Sequence, residues 1–131
     1  MNTIVRLMLA SMLMIVAAPG YSAVATQMWR CELGEGTTEA DVKAKAGKWL
    51  EAARQMKGGE GLDAYVFFPV AVNNAENIDL LFVVTAPSFS DWGQFWDAYQ
   101  TPGSPMEALD KENQDAIVCP DSAVWESYKV E

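Results

Sequence analysis

The chain has 131 residues, half of them hydrophobic, and a formal net charge of −9 because 18 acidic residues face 9 basic ones. An acidic chain repels phosphate backbones and anionic membrane surfaces, which argues against nucleic-acid and membrane partners. Histidine is absent. Ser-His-Asp catalysis, Cys-His catalysis and histidine-ligated haem or zinc are therefore excluded, and we expect neither a metal nor a cofactor.

Residues 1–25 have the pattern of a secretory signal peptide. Arg6 precedes an apolar run at residues 7–18, and Ala23-Val24-Ala25 fits the small-x-small cleavage rule. The run is shorter than the roughly 20 residues that a membrane-spanning helix needs, which disfavours an uncleaved anchor. We expect cleavage after Ala25, a periplasmic or secreted protein with no membrane contact after cleavage, and a single α+β domain at residues 26–131.

The first part of this domain predicts a strand and then an amphipathic helix. Residues 27–33 alternate between apolar and polar, which is typical of a half-buried strand. Thr38 and Asp41 have the spacing of a capping box, and apolar residues then recur at helical steps from Glu39 to Met56. The basic residues of this helix are interpreted as its solvent-facing side: Lys43, Lys45, Lys48 and Arg54.

Residues 62–72 and 78–86 predict a hairpin of two strands around the turn-forming residues 73–77. Pro69 lacks a backbone N–H, which favours an edge position for the first of these strands. Both faces of that strand are apolar, with Val66, Phe68 and Val70 on one side and Tyr65, Phe67 and Ala71 on the other. Since a sheet with one core face needs only one apolar side, we expect the second face to be covered.

An aromatic helix, a second short helix and a last strand complete the chain. Ser88 or Ser90 is the expected N-cap of the aromatic helix, which ends at residues 101–103. Ser104-Pro105 begins the short helix, and residues 122–130 alternate as a strand. The order β-α-β-β-α-(α)-β predicts a ferredoxin-like α+β fold with a four-stranded antiparallel sheet and helices on one face.

Cys31 and Cys119 are the two cysteines of the chain. In the predicted topology the first and last strands are antiparallel neighbours, and this pairing brings the two cysteines together. An oxidising compartment favours a disulfide. A metal site would need further soft ligands, and a CxxC redox motif is absent.

The element order, the segments "SFSDWGQFW" and "SPMEAL" and the terminal "VWESYKV" resemble the dimeric α/β-barrel superfamily, which includes antibiotic-biosynthesis-monooxygenase-like, EthD-like and NIPSNAP-like proteins. The resemblance implies a homodimer that packs two sheets face to face, and a cleft between sheet and helices in each protomer. The histidines and haem ligands of the catalytic members have no counterpart here, so the resemblance does not carry an enzyme activity with it.

Eight aromatic residues are candidates for lining such a cleft: Trp92, Phe95, Trp96, Tyr99, Tyr65, Phe67, Trp29 and Trp49. The first four lie on one stripe of a helix, which equally fits a helix packed on a sheet, so we expect mostly core with one edge open to a ligand. Four carboxylates are weaker candidates for a pocket acid: Asp63, Asp79, Asp91 and Asp97. The polar residues 110–115 lack the spacing of a calcium loop and are interpreted as a solvated helix face.

Three functions remain open from the sequence. The first is an exported homodimer that binds a small apolar or aromatic molecule in the cleft without catalysis. The second is a cofactor-independent isomerase, lyase or oxygenase that uses a Tyr or Asp there. The third is an assembly module whose apolar faces only mediate association.

Overall fold

The structure, a computed structural model, describes residues 23–71 and 78–130. Within these ranges the elements are β1 (Val24–Leu33), α1 (Glu39–Arg54), β2 (Asp63–Phe67), β3 (Leu80–Ala86), α2 (Phe89–Tyr99), α3 (Pro105–Asn113) and β4 (Ile117–Ser127). This order is the predicted one. Most of the predicted signal peptide and the predicted turn at residues 73–77 lie outside the described residues.

The four strands form one antiparallel sheet in the order β2-β3-β1-β4. β1 lies in the centre, so Ala25 is opposite both Ala86 of β3 and Glu126 of β4. The first and last strands are thus neighbours, and the ferredoxin-like α+β fold is confirmed. Strand β1 already begins at Val24, which means that cleavage after Ala25 would start the strand at Thr26.

The three helices lie on the same face of this sheet. Ala25 and Val84 of the sheet pack in one buried cluster with Trp49 of α1, Phe95 of α2 and Met106 of α3. Burying an apolar side chain of this size contributes about 1.5–3 kcal/mol. The cluster therefore holds the helical layer on the sheet. None of the helices in the described part of the chain has the length and apolar character needed to cross a membrane.

Side-chain caps set the starts of the first two helices. The Thr38 hydroxyl accepts from the Asp41 backbone N–H at 3.2 Å, and the Asp41 carboxylate accepts from the Thr38 backbone N–H at 2.9 Å. This is the predicted capping box. At the second helix the Ser88 hydroxyl accepts from the Asp91 backbone N–H at 3.0 Å, so the N-cap is Ser88 and not Ser90.

All four strands differ in extent from the predictions, and the differences are largest at β2 and β4. β2 ends at Phe67, whose partner Leu81 is the second residue of β3, and Pro69 follows beyond the ladder. β4 begins at Ile117 and not at residue 122, because Ile117 and Val118 already pair with the end of β1. Alternation alone misses this start, since the β1–β4 register shifts between Arg30 and Glu32.

The face of the sheet away from the helices carries apolar side chains in all four strands, together with polar ones such as Thr26, Arg30 and Asp121. Opposed residues of an antiparallel pair project to the same side, and one such row contains Tyr65, Val83, Met28 and Ala123. Phe67 and Trp125 lie on this same side with 53% and 57% of their surface exposed. We call these residues the open face. The predicted second apolar surface is therefore present on the sheet.

A disulfide joins Cys31 to Cys119, with 2.06 Å between the sulfur atoms. It links β1 to β4 beside the shift in their register, and the cysteines are 88 residues apart in sequence. The pairing predicted from the topology is confirmed. Because it crosses between the central strand and an edge strand, the bond fixes β4 to the rest of the sheet.

Replacing both cysteines with alanine (C31A/C119A) is expected to lower the free energy of unfolding by about 4 kcal/mol. The cross-link restricts the unfolded chain over a long loop, and the alanine variant loses this restriction. Urea denaturation of the oxidised protein and of the variant measures the difference. A reductant should destabilise the wild type and leave the variant unchanged, and equal urea midpoints for the two oxidised samples would contradict the prediction.

Candidate functional site

A cleft of about 370 Å³ opens between the sheet and the helices. Its wall is aromatic, with Trp29 from β1, Trp49 from α1, Phe82 from β3, and Trp96 and Tyr99 from α2. One end is polar and consists of Lys45, Asp110 and Asn113. Aliphatic residues and the disulfide complete the lining: Val42, Ala46, Leu80, Ile117 and Cys119. The cleft is thus an apolar groove with a small polar end.

The predicted aromatic stripe of α2 divides between the core and the cleft. Trp92 and Phe95 are buried, with 7% and 0% of their surface exposed, and belong to the core cluster. Trp96 and Tyr99 are half-buried and line the cleft. The division arises because the stripe is wider than the surface that the sheet covers. Two of the four residues of the stripe thus lie in the core and two at the cleft.

The other four aromatic candidates also divide into two pairs. Trp29 and Trp49 line the cleft, and their rings meet edge to face with centroids 6.4 Å apart. Tyr65 and Phe67 do not line it, because they lie on the open face of the sheet, with ring centroids 6.4 Å apart. Their alternate neighbours in β2, Ala64 and Val66, point toward the helices instead. Tyr65 and Phe67 are therefore not part of the cleft.

Ring-to-ring contacts hold the cleft wall in place. Trp96 and Tyr99 are stacked, with centroids 5.1 Å apart and planes inclined by 4°. Trp49 meets Phe82 edge to face at 5.2 Å. Aromatic pairs in such geometries add about 0.5–1.5 kcal/mol beyond the burial of their surface. The wall is consequently preformed, and a flat apolar molecule could bind against it without reordering the rings.

The polar end joins all three helices. Lys45 Nζ of α1 donates to Asn113 Oδ1 of α3 at 2.9 Å, and the Tyr99 hydroxyl of α2 donates to Asp110 Oδ2 of α3. The sequence interpretation was wrong for Lys45, which is half-buried at the cleft and does not face solvent alone. Asn113, in the segment interpreted as a solvated helix face, is likewise half-buried at the cleft, whereas Asp110 lines the cleft and is exposed, as that interpretation expects.

The environment of Tyr99 raises the pKa of its phenol well above the ordinary value of 10.0. Burial is the largest cause, since it penalises the charged phenolate, and the hydrogen bond to the Asp110 carboxylate with the charge of that carboxylate acts in the same direction. The side chain of Trp49 acts in the opposite direction. Tyr99 is therefore a neutral hydrogen-bond donor over the physiological range and cannot act as a base there.

The four carboxylates proposed from the sequence do not line the cleft: Asp63, Asp79, Asp91 and Asp97. Asp63 forms an ion pair with Arg54 at 2.6 Å, and Asp79 accepts from the backbone N–H of Leu33 at 2.7 Å. Asp91 belongs to the cap of α2, and Asp97 is exposed. Within residues 23–71 and 78–130, no three His, Cys, Asp or Glu side chains converge as metal ligands would.

Comparison with known proteins gives no match to a family model and none to the sequence of a curated protein. Several solved structures are similar in fold. The At3g17210 protein of Arabidopsis thaliana is 8% identical, covers 83% of this chain and 96% of its own, and has a TM-score of 0.53. Hydroxynitrile lyase from Passiflora edulis is 12% identical, covers 85% and 96%, and has a TM-score of 0.52.

A third structure is a dimeric ferredoxin-like protein of unknown function from Thermobifida fusca. It is 13% identical, covers 82% of this chain and 92% of its own, and has a TM-score of 0.48. At such low identity, the Arabidopsis and Passiflora proteins show that the ferredoxin-like fold is shared, and nothing about activity follows from them.

Replacing Asp110 with asparagine is expected to lower the pKa of Tyr99 without restoring its ordinary value. The substitution removes the negative charge and the acceptor carboxylate, whereas burial, the largest single cause, remains. Phenolate absorbance during alkaline titration measures the change, with the Tyr99→Phe variant used to identify the Tyr99 signal. Asp97→Asn on the exposed side of α2 is the matched control and should leave the titration unchanged.

The sign of the linked stability change follows from the raised pKa. The contribution of Tyr99 is fully present below pH 10.0, its ordinary pKa, and is lost as the pH rises further, because only the unfolded chain then releases the proton. Tyr99→Phe should therefore reduce the loss of stability in alkali. A phenol that titrates near its ordinary value and disappears in Tyr99→Phe would contradict this account.

Proposed function

We propose that this chain is an exported homodimer that binds a small, largely apolar or aromatic molecule in the cleft between sheet and helices. The observation that carries the proposal is the aromatic wall formed by Trp29, Trp49 and Trp96 around about 370 Å³ of open space. Cavities of 300–1,000 Å³ with apolar walls and a few convergent polar groups are typical small-molecule sites. A helix layer that served only as core would fill this space with side chains.

The homodimer is supported by the open face. Phe67 and Trp125 would leave more than half of their surface in water in a monomer. Covering one large apolar side chain contributes about 1.5–3 kcal/mol. Packing two such faces against each other would bury Phe67 and Trp125 of both protomers. The helices and their clefts would remain on the outside of the dimer.

Export is supported by the signal-peptide pattern of residues 1–25 together with the disulfide between Cys31 and Cys119. Disulfides form and persist in oxidising compartments and are rare in reducing ones. Cys119 also lines the cleft, so the disulfide that an oxidising compartment favours forms part of the wall of the site.

Binding is favoured over acid-base catalysis by the state of the two groups that could serve as a base. Asp110, the carboxylate in the cleft lining, already accepts the hydrogen bond of Tyr99. Tyr99 keeps its proton because its pKa is raised. A carboxylate that accepts a hydrogen bond from its neighbour, or a phenol that keeps its own proton, is a weaker acceptor of a substrate proton than a free carboxylate.

Trp96→Ala is expected to weaken binding of the neutral fluorescent probe N-phenyl-1-naphthylamine by at least about tenfold, because the variant removes one wall of the cleft. Probe fluorescence during titration measures the affinity, and circular dichroism checks that the variant is folded. Trp125→Ala, on the open face, is the matched control and should bind as the wild type does.

Two results would contradict the binding proposal. If the wild type does not enhance the fluorescence of the probe, the cleft is not an apolar binding site. If Trp125→Ala weakens binding and Trp96→Ala does not, the probe binds at the open face, and the assembly role gains support.

Phe67→Glu is expected to convert the homodimer to a monomer, because the substitution replaces an exposed ring of the open face with a carboxylate that the dimer would bury. Light scattering during size-exclusion chromatography measures the mass. Phe89→Glu replaces another exposed phenylalanine, 46% exposed at the start of α2, and should leave the dimer intact. A wild type that is monomeric at all concentrations tested would refute the homodimer.

A further inference from the structure

We infer that the ligand of the cleft is an aromatic carboxylate, with its ring against the tryptophan wall and its carboxylate at Lys45 and Asn113. This inference rests on the proposed binding function and names the chemical class of its ligand. It is carried by the hydrogen-bonding capacity that remains at the polar end of the cleft.

The donors at this end exceed the groups that use them. An ammonium has three N–H donors, and Lys45 Nζ uses one of them on Asn113 Oδ1 at 2.9 Å. The Asn113 side chain keeps one acceptor site on Oδ1 and two donors on its NH₂ group. Lys45 and Asn113 thus offer up to four N–H groups on one side of the cleft, and a carboxylate is the acceptor that matches them best.

The acidic and basic groups of the cleft differ in exposure. Asp110 Oδ2 accepts the Tyr99 hydroxyl, and because Asp110 is exposed, water can satisfy its remaining acceptor sites, whereas Lys45 and Asn113 are half-buried. A cationic ligand would compete with this bond and would also meet the charge of Lys45. An anionic ligand instead adds bonds to donors that are otherwise unfilled. The hydrogen-bonding pattern therefore favours an anion, although the chain as a whole carries a net charge of −9.

The position of Lys45 also suits a ligand that spans the cleft. Lys45 and Trp49 are four residues apart on α1, which places them one helical turn apart on the same face. Both line the cleft, together with Tyr99 and Asn113 from the other two helices. A flat ring against Trp49 and Trp96 would consequently direct a substituent on its edge toward Lys45.

The inference is tested with three probes of one shape: naphthalene-2-carboxylate, the neutral naphthalene-2-carboxamide and the cationic 2-naphthylmethylammonium. Calorimetric titration of the wild-type protein is expected to give about tenfold tighter binding of the carboxylate than of the carboxamide, since a charge-assisted bond replaces a neutral one. Lys45→Met retains the length of the side chain and should abolish this preference while leaving the affinity for the carboxamide within about twofold.

Two further variants distinguish loss of the charge at Lys45 from a general effect on the structure of the helix. Lys45→Arg keeps a cation with several donors and should restore most of the preference. Lys48→Met removes a lysine from the exposed side of the same helix and should change none of the three affinities. Persistence of the carboxylate preference in Lys45→Met would overturn the role of Lys45.

The failure of this inference differs from the failure of the proposed function. Equal binding of all three probes, lost in Trp96→Ala, would retain the aromatic cleft and reject the carboxylate. Preferential binding of the ammonium probe, lost in Asp110→Asn, would reject it in favour of a cationic ligand. If none of the three probes binds to the wild type, both the inference and the cleft-binding function are refuted.

Discussion

The packing of the Trp49 ring against four other rings is the contact on which the fold and the cleft both depend. Its neighbours are Trp29 of β1, Phe82 of β3, and Phe95 and Tyr99 of α2, all within 6.4 Å between centroids. One side chain thus joins α1, the sheet and α2. Because Trp49 also lines the cleft, the same contacts that stabilise the fold hold the binding surface rigid, and a ligand would pay little entropy to order it.

Helix α3 contributes polar side chains to the otherwise aromatic cleft. It supplies Asp110 to Tyr99 and Asn113 to Lys45, so each of the other two helices has one polar bond to it at the cleft. Buried or half-buried polar groups are costly unless they are bonded. Each of these pairings gives a polar group of the cleft one partner within the protein, and Lys45 and Asn113 keep further N–H donors that a ligand could use.

The two apolar surfaces of the sheet have different chemical roles. The helix side carries the core and the cleft, whereas no helix among the described residues packs on the open face. A homodimer would use the open face and leave the clefts accessible. Ligand binding and assembly can then be altered independently, because the residues of the cleft and those of the open face are on opposite sides of the same strands.

The sequence by itself determined the type and order of the elements, the capping box at Thr38 and the disulfide partners. These follow from local periodicity and from one topological rule, that the first and last strands are neighbours. It also identified the aromatic stripe of α2, but not the boundary between Phe95 in the core and Trp96 in the cleft. Only the tertiary structure decided that boundary and brought Lys45 and Asn113 together. The distance between two helices is set by how they pack, and packing between distant segments produces no periodic pattern in the sequence.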